Sequence, residues 1–232
     1  MEFNKSLLKG KLIKRYKRFF ADVKLNKETI TAHCPNTGSM MGLLNEGNEV
    51  FVSKNDDPKR KLKYTLEIIK VKKNLVGVNT HFANKIVYHG LSNNLIKEVS
   101  DNDTIKAEVF FNKETRFDFF IEKNNQKIFV EVKNVTLLRD GKIAEFPDSI
   151  TSRGSKHLKT LIEATKKGYK TYLLFLVQIQ GVEFFKIAKD IDKEYYENYL
   201  LAKKNGVNFL AYRCKIDSKQ IKIDKKIKII NE

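Results

Sequence analysis

The chain has 232 residues, of which 41% are hydrophobic, and it carries 45 Lys and Arg against 28 Asp and Glu, a formal charge of +17. No apolar run approaches the roughly 20 residues that a membrane helix needs, no apolar stretch after Met1 resembles a signal peptide, and two cysteines are too few for a disulfide framework. We therefore expect a cytoplasmic protein with a polyanionic partner and no membrane association. A composition rich in Lys, Asn and Ile also arises in AT-rich genomes, so charge alone does not identify that partner.

Short β-like runs separated by turn signals fill the first part of the chain. Asn-Lys, Asn-Thr-Gly and Asn-Asp-Asp-Pro sequences supply the turns. The predicted strands are residues 19–25, 29–33, 49–53 and 64–72. Short strands closed by such turns are typical of a small OB-like β-barrel, which we assign to residues 1–88.

The second part, residues 89–232, alternates helical and strand patterns. The predicted helices are residues 91–99, 155–167 and 195–204, and the predicted strands are residues 105–111, 117–122, 127–135 and 169–179. Gly168 and Gly206 are placed to end the second and third helices. The order α-β-β-β-α-β-α predicts an α/β domain in which helices flank a mixed sheet.

A predicted hairpin in this domain brings two acidic residues together. Asn124 and Asn125 suit a two-residue turn, which places Asp118 opposite Glu131. Lys133 follows on the same face as these carboxylates. The opposite face is apolar and consists of Phe117, Phe119, Ile121, Ile128, Val130 and Val132.

Two carboxylates that face each other across a strand pair repel, and a divalent cation between them removes the repulsion. We expect Mg²⁺ or Mn²⁺ at Asp118 and Glu131, with Lys133 orienting or helping to deprotonate a metal-bound water, as in PD-(D/E)XK nucleases. An ordinary solvated strand face would also produce the Glu-Val-Lys sequence. Gln178 and Gln180, which share a face of a later strand, are secondary candidates for contacts to the water or phosphate, although such residues are often only solvated.

Three basic clusters are candidates for nucleic-acid contacts. Two of them mix cations with aromatic residues, as single-strand binding surfaces do, and the third begins a predicted helix, whose free N–H groups attract phosphate. Each cluster alone could be a solubilising surface, and the three together favour binding. The candidate residues are Arg15, Lys17, Arg18, Lys59, Arg60, Lys61, Lys63, Arg153, Lys156 and His157.

Several motifs in collinear order resemble the sugar fermentation stimulation protein A family. The most specific is His-Cys-Pro-Asn-Thr-Gly-Ser-Met at 33–40. The others include Arg-Tyr-Lys-Arg-Phe-Phe-Ala-Asp-Val at 15–23, Arg-Phe-Asp-Phe at 116–119, Glu-Val-Lys-Asn-Val-Thr at 131–136, Phe-Pro-Asp at 146–148 and Lys-His-Leu at 156–158. The resemblance covers almost the whole chain.

This resemblance implies an OB-like domain, a PD-(D/E)XK-like domain, non-specific DNA binding and a suggested regulatory role in sugar (maltose) metabolism. It maps the nuclease-like triad to Asp118, Glu131 and Lys133. Two functions stay open: a DNA-binding or regulatory protein that uses a nuclease-like scaffold, and an active Mg²⁺-dependent nuclease. No motif for a small-molecule cofactor is present in the sequence, and the oligomeric state is left open.

Overall fold

The N-terminal part of the computed structural model, which describes residues 1–230, is a closed β-barrel. Its strands are β1 (Leu8–Tyr16), β2 (Phe20–Leu25), β3 (Glu28–His33), β4 (Glu49–Lys54), β5 (Tyr64–Val71) and β6 (Asn74–Gly77). They run in the order β3-β2-β1-β4-β5-β6, and β3 also pairs with β5, which closes five strands into the predicted barrel. The sequence did not predict β1, because only Gly10 and Leu12 of this strand are buried and lysines surround them.

Helix α1 (Ala83–Ser92) connects the barrel to the second sheet. The prediction of a helix over residues 91–99 was wrong, because α1 ends at Ser92 and only a single 3-10 turn, Lys97–Val99, follows. Asn94, with a φ of 56°, turns the chain away from the helix axis directly after α1. The predicted boundary between residues 88 and 89 falls inside this helix.

The second sheet is mixed and has six strands. These are β7 (Thr104–Phe110), β8 (Arg116–Lys123), β9 (Gln126–Val135), β12 (Lys170–Val177), β14 (Asn208–Ile216) and β15 (Ile221–Lys226), in the order β15-β14-β12-β9-β8-β7. Strand β12 is parallel to both of its neighbours, β14 and β9. The remaining pairs, β14–β15, β9–β8 and β8–β7, are antiparallel. The predicted mixed sheet flanked by helices is confirmed.

A small four-stranded sheet, which the sequence did not predict, lies beside the main one. Its strands are β10 (Leu137–Asp140), β11 (Ile143–Phe146), β13 (Phe184–Ile187) and β16 (Lys228–Ile229). Each strand has at most four residues, too few to show an alternating pattern.

Two helices, α2 (Ser152–Lys166) and α3 (Lys193–Lys204), pack together on one side of the main sheet. Thr151 begins α2 by accepting a hydrogen bond from Gly154 N at 3.0 Å. Asp192 begins α3 and also accepts a hydrogen bond from Thr151 N at 2.8 Å, which connects the starts of the two helices. None of the helices in residues 1–230 is long and apolar enough to cross a membrane.

The apolar faces of the main sheet belong to two separate cores. Phe119, Ile121, Ile128, Val130 and Val132 pack in the core that contains α1, as the predicted face requires. Phe117 was wrongly placed with them, because it packs in the other core, against Phe111 and Phe129. Phe117 precedes the part of β8 that pairs with β9, which begins at Phe119, and Glu108 in the neighbouring strand β7 has a φ of 57°.

Candidate functional site

The β8–β9 hairpin has the predicted turn and register. Asn124 and Asn125 both have positive φ, at 48° and 63°, as a two-residue hairpin turn requires. Phe119 pairs with Val130. The pairing ends at Phe119 and Val130, so Asp118 and Glu131 lie directly beyond the last paired residues, at the end of the hairpin furthest from the turn.

Both oxygens of the Asp118 carboxyl group accept hydrogen bonds. Oδ2 accepts from Val132 N at 2.7 Å, and Oδ1 accepts from Asn84 Nδ2 at 2.8 Å. Asn84 lies in the first turn of α1, so the connecting helix reaches into the site. Burial raises the pKa of Asp118 to about 6, and the nearby charge of Glu131 adds to this effect.

Glu131 is only 3% exposed and uses one of its two oxygens. Oε1 accepts hydrogen bonds from Lys133 Nζ, at 2.7 Å, and from His157 Nδ1. Oε2 has no partner within residues 1–230. Burial raises the pKa of Glu131, but the hydrogen bond from His157 and the charge of Lys133 outweigh it and hold the pKa below its ordinary value.

The His157 side chain lies in the acidic site, where it contacts Glu131. Its Nδ1 contacts Glu131 Oε1, and its Nε2 accepts a weak hydrogen bond from Arg153 Nε at 3.4 Å. Lys156, its neighbour in α2, forms an exposed ion pair with Glu114 at 3.0 Å. Of the three α2 residues predicted to contact DNA, Arg153 and Lys156 are exposed, and His157 positions Glu131.

The Asp118–Glu131 pair has features that suit a hard divalent cation. A buried carboxylate oxygen without a partner is costly unless something binds it, and Glu131 Oε2 is such an atom. Residues 1–230 contain no cluster of three or more His, Cys, Asp or Glu side chains that could enclose a metal. Two carboxylates are oxygen ligands of the kind that a hard divalent cation takes together with water.

The remaining sequence candidates occupy different positions. Gln178 is buried where the barrel meets the main sheet, and its Nε2 donates to Asn134 Oδ1 at 2.6 Å rather than to the acidic pair. Gln180 N donates to Leu75 O at 2.9 Å, in the barrel. Arg15 donates to the carbonyl oxygens of residues 18, 36 and 39, so it holds barrel loops together.

Asn84 is a site residue that the sequence did not indicate. Its side chain connects α1 to Asp118, and an isolated Asn after an Ala carries no recognisable signal. The link between α1 and the hairpin exists only because the two elements pack on the same core.

Ionisation of Asp118 is expected to destabilise the metal-free protein. Its folded pKa, about 6, exceeds the ordinary value of 3.8, so the folded state binds the additional proton. The free energy of unfolding should then fall as the pH rises from about 4 to about 6. Two pKa units correspond to about 3 kcal/mol.

Asp118→Asn removes the ionisable group and keeps the hydrogen bonds. Rotation of the Asn84 amide by 180° lets its oxygen accept a hydrogen bond from the new side-chain amide. We expect the variant to exceed the native protein in free energy of unfolding by about 3 kcal/mol at pH 8, and by little at pH 4. Urea unfolding in EDTA at a series of pH values measures the difference. A difference that is constant with pH would show that Asp118 does not titrate in this range.

The fold and site together define a two-domain protein, with an OB barrel followed by a restriction-endonuclease-like α/β domain. Residues 13–78 match the family model described as the SfsA N-terminal OB domain, and residues 81–220 match the sugar fermentation stimulation protein RE domain. The chain belongs to the sugar fermentation stimulation protein family.

Relatives cover the whole chain. A sugar fermentation stimulation protein homolog from Pelagibacter ubique is 84% identical over 231 residues, with 100% of each chain covered. A homolog of the same name from Alteromonas mediterranea is 45% identical over 238 residues, covering 99% of this chain and 100% of its own. The solved structure of Pyrococcus furiosus SfsA in complex with Ca²⁺ has a TM-score of 0.87, 24% identity, and coverage of 100% of this chain and 98% of its own. At that identity, the last comparison supports the fold alone.

Proposed function

We propose that the chain binds DNA without sequence preference and holds a divalent cation between Asp118 and Glu131. The observation that carries this proposal is the partnerless buried oxygen of Glu131, next to a second carboxyl group whose pKa is raised. A formal charge of +17 attracts a polyanion. The relative from Pyrococcus furiosus was solved with Ca²⁺, which takes oxygen ligands as Mg²⁺ does.

Asp118 and Glu131 would hold the cation, and the other residues of the site keep the two carboxylates in place. When bound, the cation supplies positive charge that polarises a phosphate and makes water more acidic. Val132 N–H and Asn84 orient Asp118. Lys133 and His157 orient Glu131 through Oε1, which leaves Oε2 available.

A second candidate function is hydrolysis of DNA phosphodiester bonds. The position of the Lys133 ammonium beside Glu131 favours it. The ammonium lies 2.7 Å from Glu131 Oε1 and the side chain is only 14% exposed. If the Lys133 ammonium served only to position Glu131, it would repeat the role of His157, which already contacts the same oxygen. Lys133 can instead neutralise charge that develops on a phosphate under attack.

Incubation of the purified chain with single-stranded, duplex and branched DNA tests both functions. Reactions with Mg²⁺, Mn²⁺ or EDTA separate metal-dependent cleavage from binding. Retention of DNA without cleavage in any metal supports the binding function alone. Failure to retain any DNA at low salt would contradict the proposal as a whole.

The expected phosphate contacts are exposed cations of the barrel. Lys17, Arg18, Lys59 and Lys61 are exposed, and their side chains make no hydrogen bond or ion pair within residues 1–230. Lys63, by contrast, donates to the carbonyl oxygens of Asp57 and Pro58 and stabilises its own loop. The first four residues are therefore the better test of binding.

Affinity for duplex DNA should fall steeply with salt, because each neutralised phosphate releases counterions. Changing the four exposed cations together to Gln should reduce the slope of log K against log salt by about 3 to 4, near 0.9 for each contact. The matched control changes four exposed lysines on α3, β15 and β16: Lys203, Lys204, Lys225 and Lys228. An equal loss of slope in the control would show that net charge, rather than the barrel surface, determines binding.

The family name refers to sugar fermentation, and a regulatory role in sugar (maltose) metabolism belongs to the same proposal. DNA binding gives such a role a physical basis, because a regulator can act by occupying DNA. Loss of the regulatory effect in cells that carry the four-cation variant would connect the two properties.

A further inference from the structure

A small pocket of about 200 Å³ lies between the two domains. One wall is the loop of residues 36–38 from the barrel, and the others come from the end of β9 and the segment that precedes α2. Asn134, in its wall, is three residues from Glu131 along β9, or about 10 Å at the rise of an extended strand. The pocket therefore lies at the end of the strand that carries Glu131.

Asn36 carries a buried amide donor that has no partner among the described residues. The residue is 3% exposed, and its Oδ1 accepts from Gly38 N at 2.9 Å, which identifies the other atom as nitrogen. Nδ2 has no partner within residues 1–230. Arg15 fixes this loop from behind by donating to Asn36 O at 2.7 Å. A rigidly held, unpaired donor in a residue that lines a pocket would gain a hydrogen bond from an acceptor placed beside it.

Asn134 presents a second amide at the pocket. Its Oδ1 accepts from Gln178 Nε2 at 2.6 Å, and Gln178 is buried, with the same nitrogen also donating to Asn79 O at 3.4 Å. Because Gln178 donates to the amide oxygen of Asn134, the amide nitrogen Nδ2 of Asn134 remains as a second hydrogen-bond donor at the pocket.

Asp148 adds an acceptor to the same pocket. Its carboxylate packs on the loop at Gly38, where a Cβ would lie 2.1 Å from Asp148 Oδ2, so only glycine permits the contact. Phe146 and Pro147 contribute apolar wall surface. Two neutral donors, one acceptor and an apolar wall match the edge and face of a nucleobase, and the volume has room for one base but not for a base pair.

We propose that this pocket receives a single unstacked nucleobase of a bound DNA strand. Thymine has two carbonyl acceptors and one ring N–H donor, the complement of the two amides and the carboxylate. Enzymes that act on DNA commonly accept such extruded bases in snug polar pockets. This inference rests on the proposed DNA binding and identifies single-stranded or locally opened DNA as its substrate.

Two oligonucleotides of equal length separate base recognition from backbone binding. One is oligo(dT), and the other is a fully abasic deoxyribose-phosphate chain with the same number of phosphates. Asn36→Asp keeps the acceptor for Gly38 N, removes the free donor and adds one negative charge. Asn94→Asp is the matched control, because Asn94 Oδ1 also accepts a backbone N–H, from Asp101, in a loop outside the pocket.

We expect the native protein and Asn94→Asp to prefer oligo(dT) over the abasic chain by about tenfold, about the effect of one good polar contact. Asn36→Asp should bind both chains within about twofold of each other. If Asn36→Asp does not fold, Asn134→Asp removes the second donor and retains the acceptor for Gln178, and the same loss of preference is expected.

Equal binding of both chains by the native protein would overturn the base pocket and leave DNA binding intact. A loss in Asn36→Asp that is equal for both chains would also overturn it, because the added charge alone would then explain the loss. Failure of the native protein to bind either chain would overturn the proposed function and the pocket together.

Discussion

Magnesium at about 100 times its dissociation constant should stabilise the native protein by about 2.7 kcal/mol, and both Asp118→Asn and Glu131→Gln should abolish this gain. A cation that binds only the folded state raises the free energy of unfolding by mass action. Each substitution removes one of the two carboxylates that would hold it. Thermal unfolding with Mg²⁺ and with EDTA measures the effect.

The two substitutions should have opposite effects on the metal-free protein. Asp118 has a raised pKa, so replacing its charge at pH 8 relieves a destabilising interaction. Glu131 has a lowered pKa because His157 and Lys133 stabilise its charge, so Glu131→Gln leaves the ammonium of Lys133 without its partner and destabilises the fold.

Glu98→Gln is the control for the metal effect. Glu98 is a partly buried carboxylate with an ion pair to Lys226 at 2.6 Å, in a different part of the fold. The magnesium gain should be unchanged in this variant. If it is lost there and persists in Asp118→Asn, the cation binds outside the proposed site.

Lys133→Met should reduce any DNA cleavage by about 100-fold or more, while cation binding is retained. The substitution preserves most of the side-chain volume and removes the ammonium that would face the phosphate. Removing a positive charge next to Glu131 does not weaken its attraction for a cation. Single-turnover cleavage with Mn²⁺ measures the loss, and the magnesium gain in stability shows that the site remains intact.

Lys123→Met provides the comparison for this experiment. Lys123 ends β8 at the hairpin turn, far along the strand from Asp118. Its cleavage rate should equal the native rate. A Lys133→Met protein that cleaves at the native rate would exclude Lys133 from the reaction and leave it a structural partner of Glu131.

The register of the β8–β9 hairpin could be predicted from the sequence because it depends on local geometry. A two-residue Asn-Asn turn determines this register, and the register determines which residues face each other. The barrel and the mixed sheet could also be predicted from the sequence, because most of their strands show clear alternation or long apolar runs.

The helical residues that contact Asp118 and Glu131 could not be predicted from the sequence, because they come from distant parts of the chain. His157 lies in a basic cluster that suggests phosphate binding, and only the packing of α2 on the main sheet brings its ring to Glu131. Asn84 reaches Asp118 from a helix that the sequence analysis placed at later residues. Arg15 is likewise predicted from the sequence to contact DNA, whereas in the structure its guanidinium donates hydrogen bonds to three carbonyl oxygens.

Calorimetric titration with Mn²⁺ tests the central claim most directly. The native protein should bind one ion, and the Asp118→Asn/Glu131→Gln double variant should bind none at that site, with Glu98→Gln behaving as native. Folding of the double variant is checked by its thermal transition in EDTA. Binding of Mn²⁺ with the same stoichiometry and affinity in the folded double variant would contradict the assignment of the cation to Asp118 and Glu131.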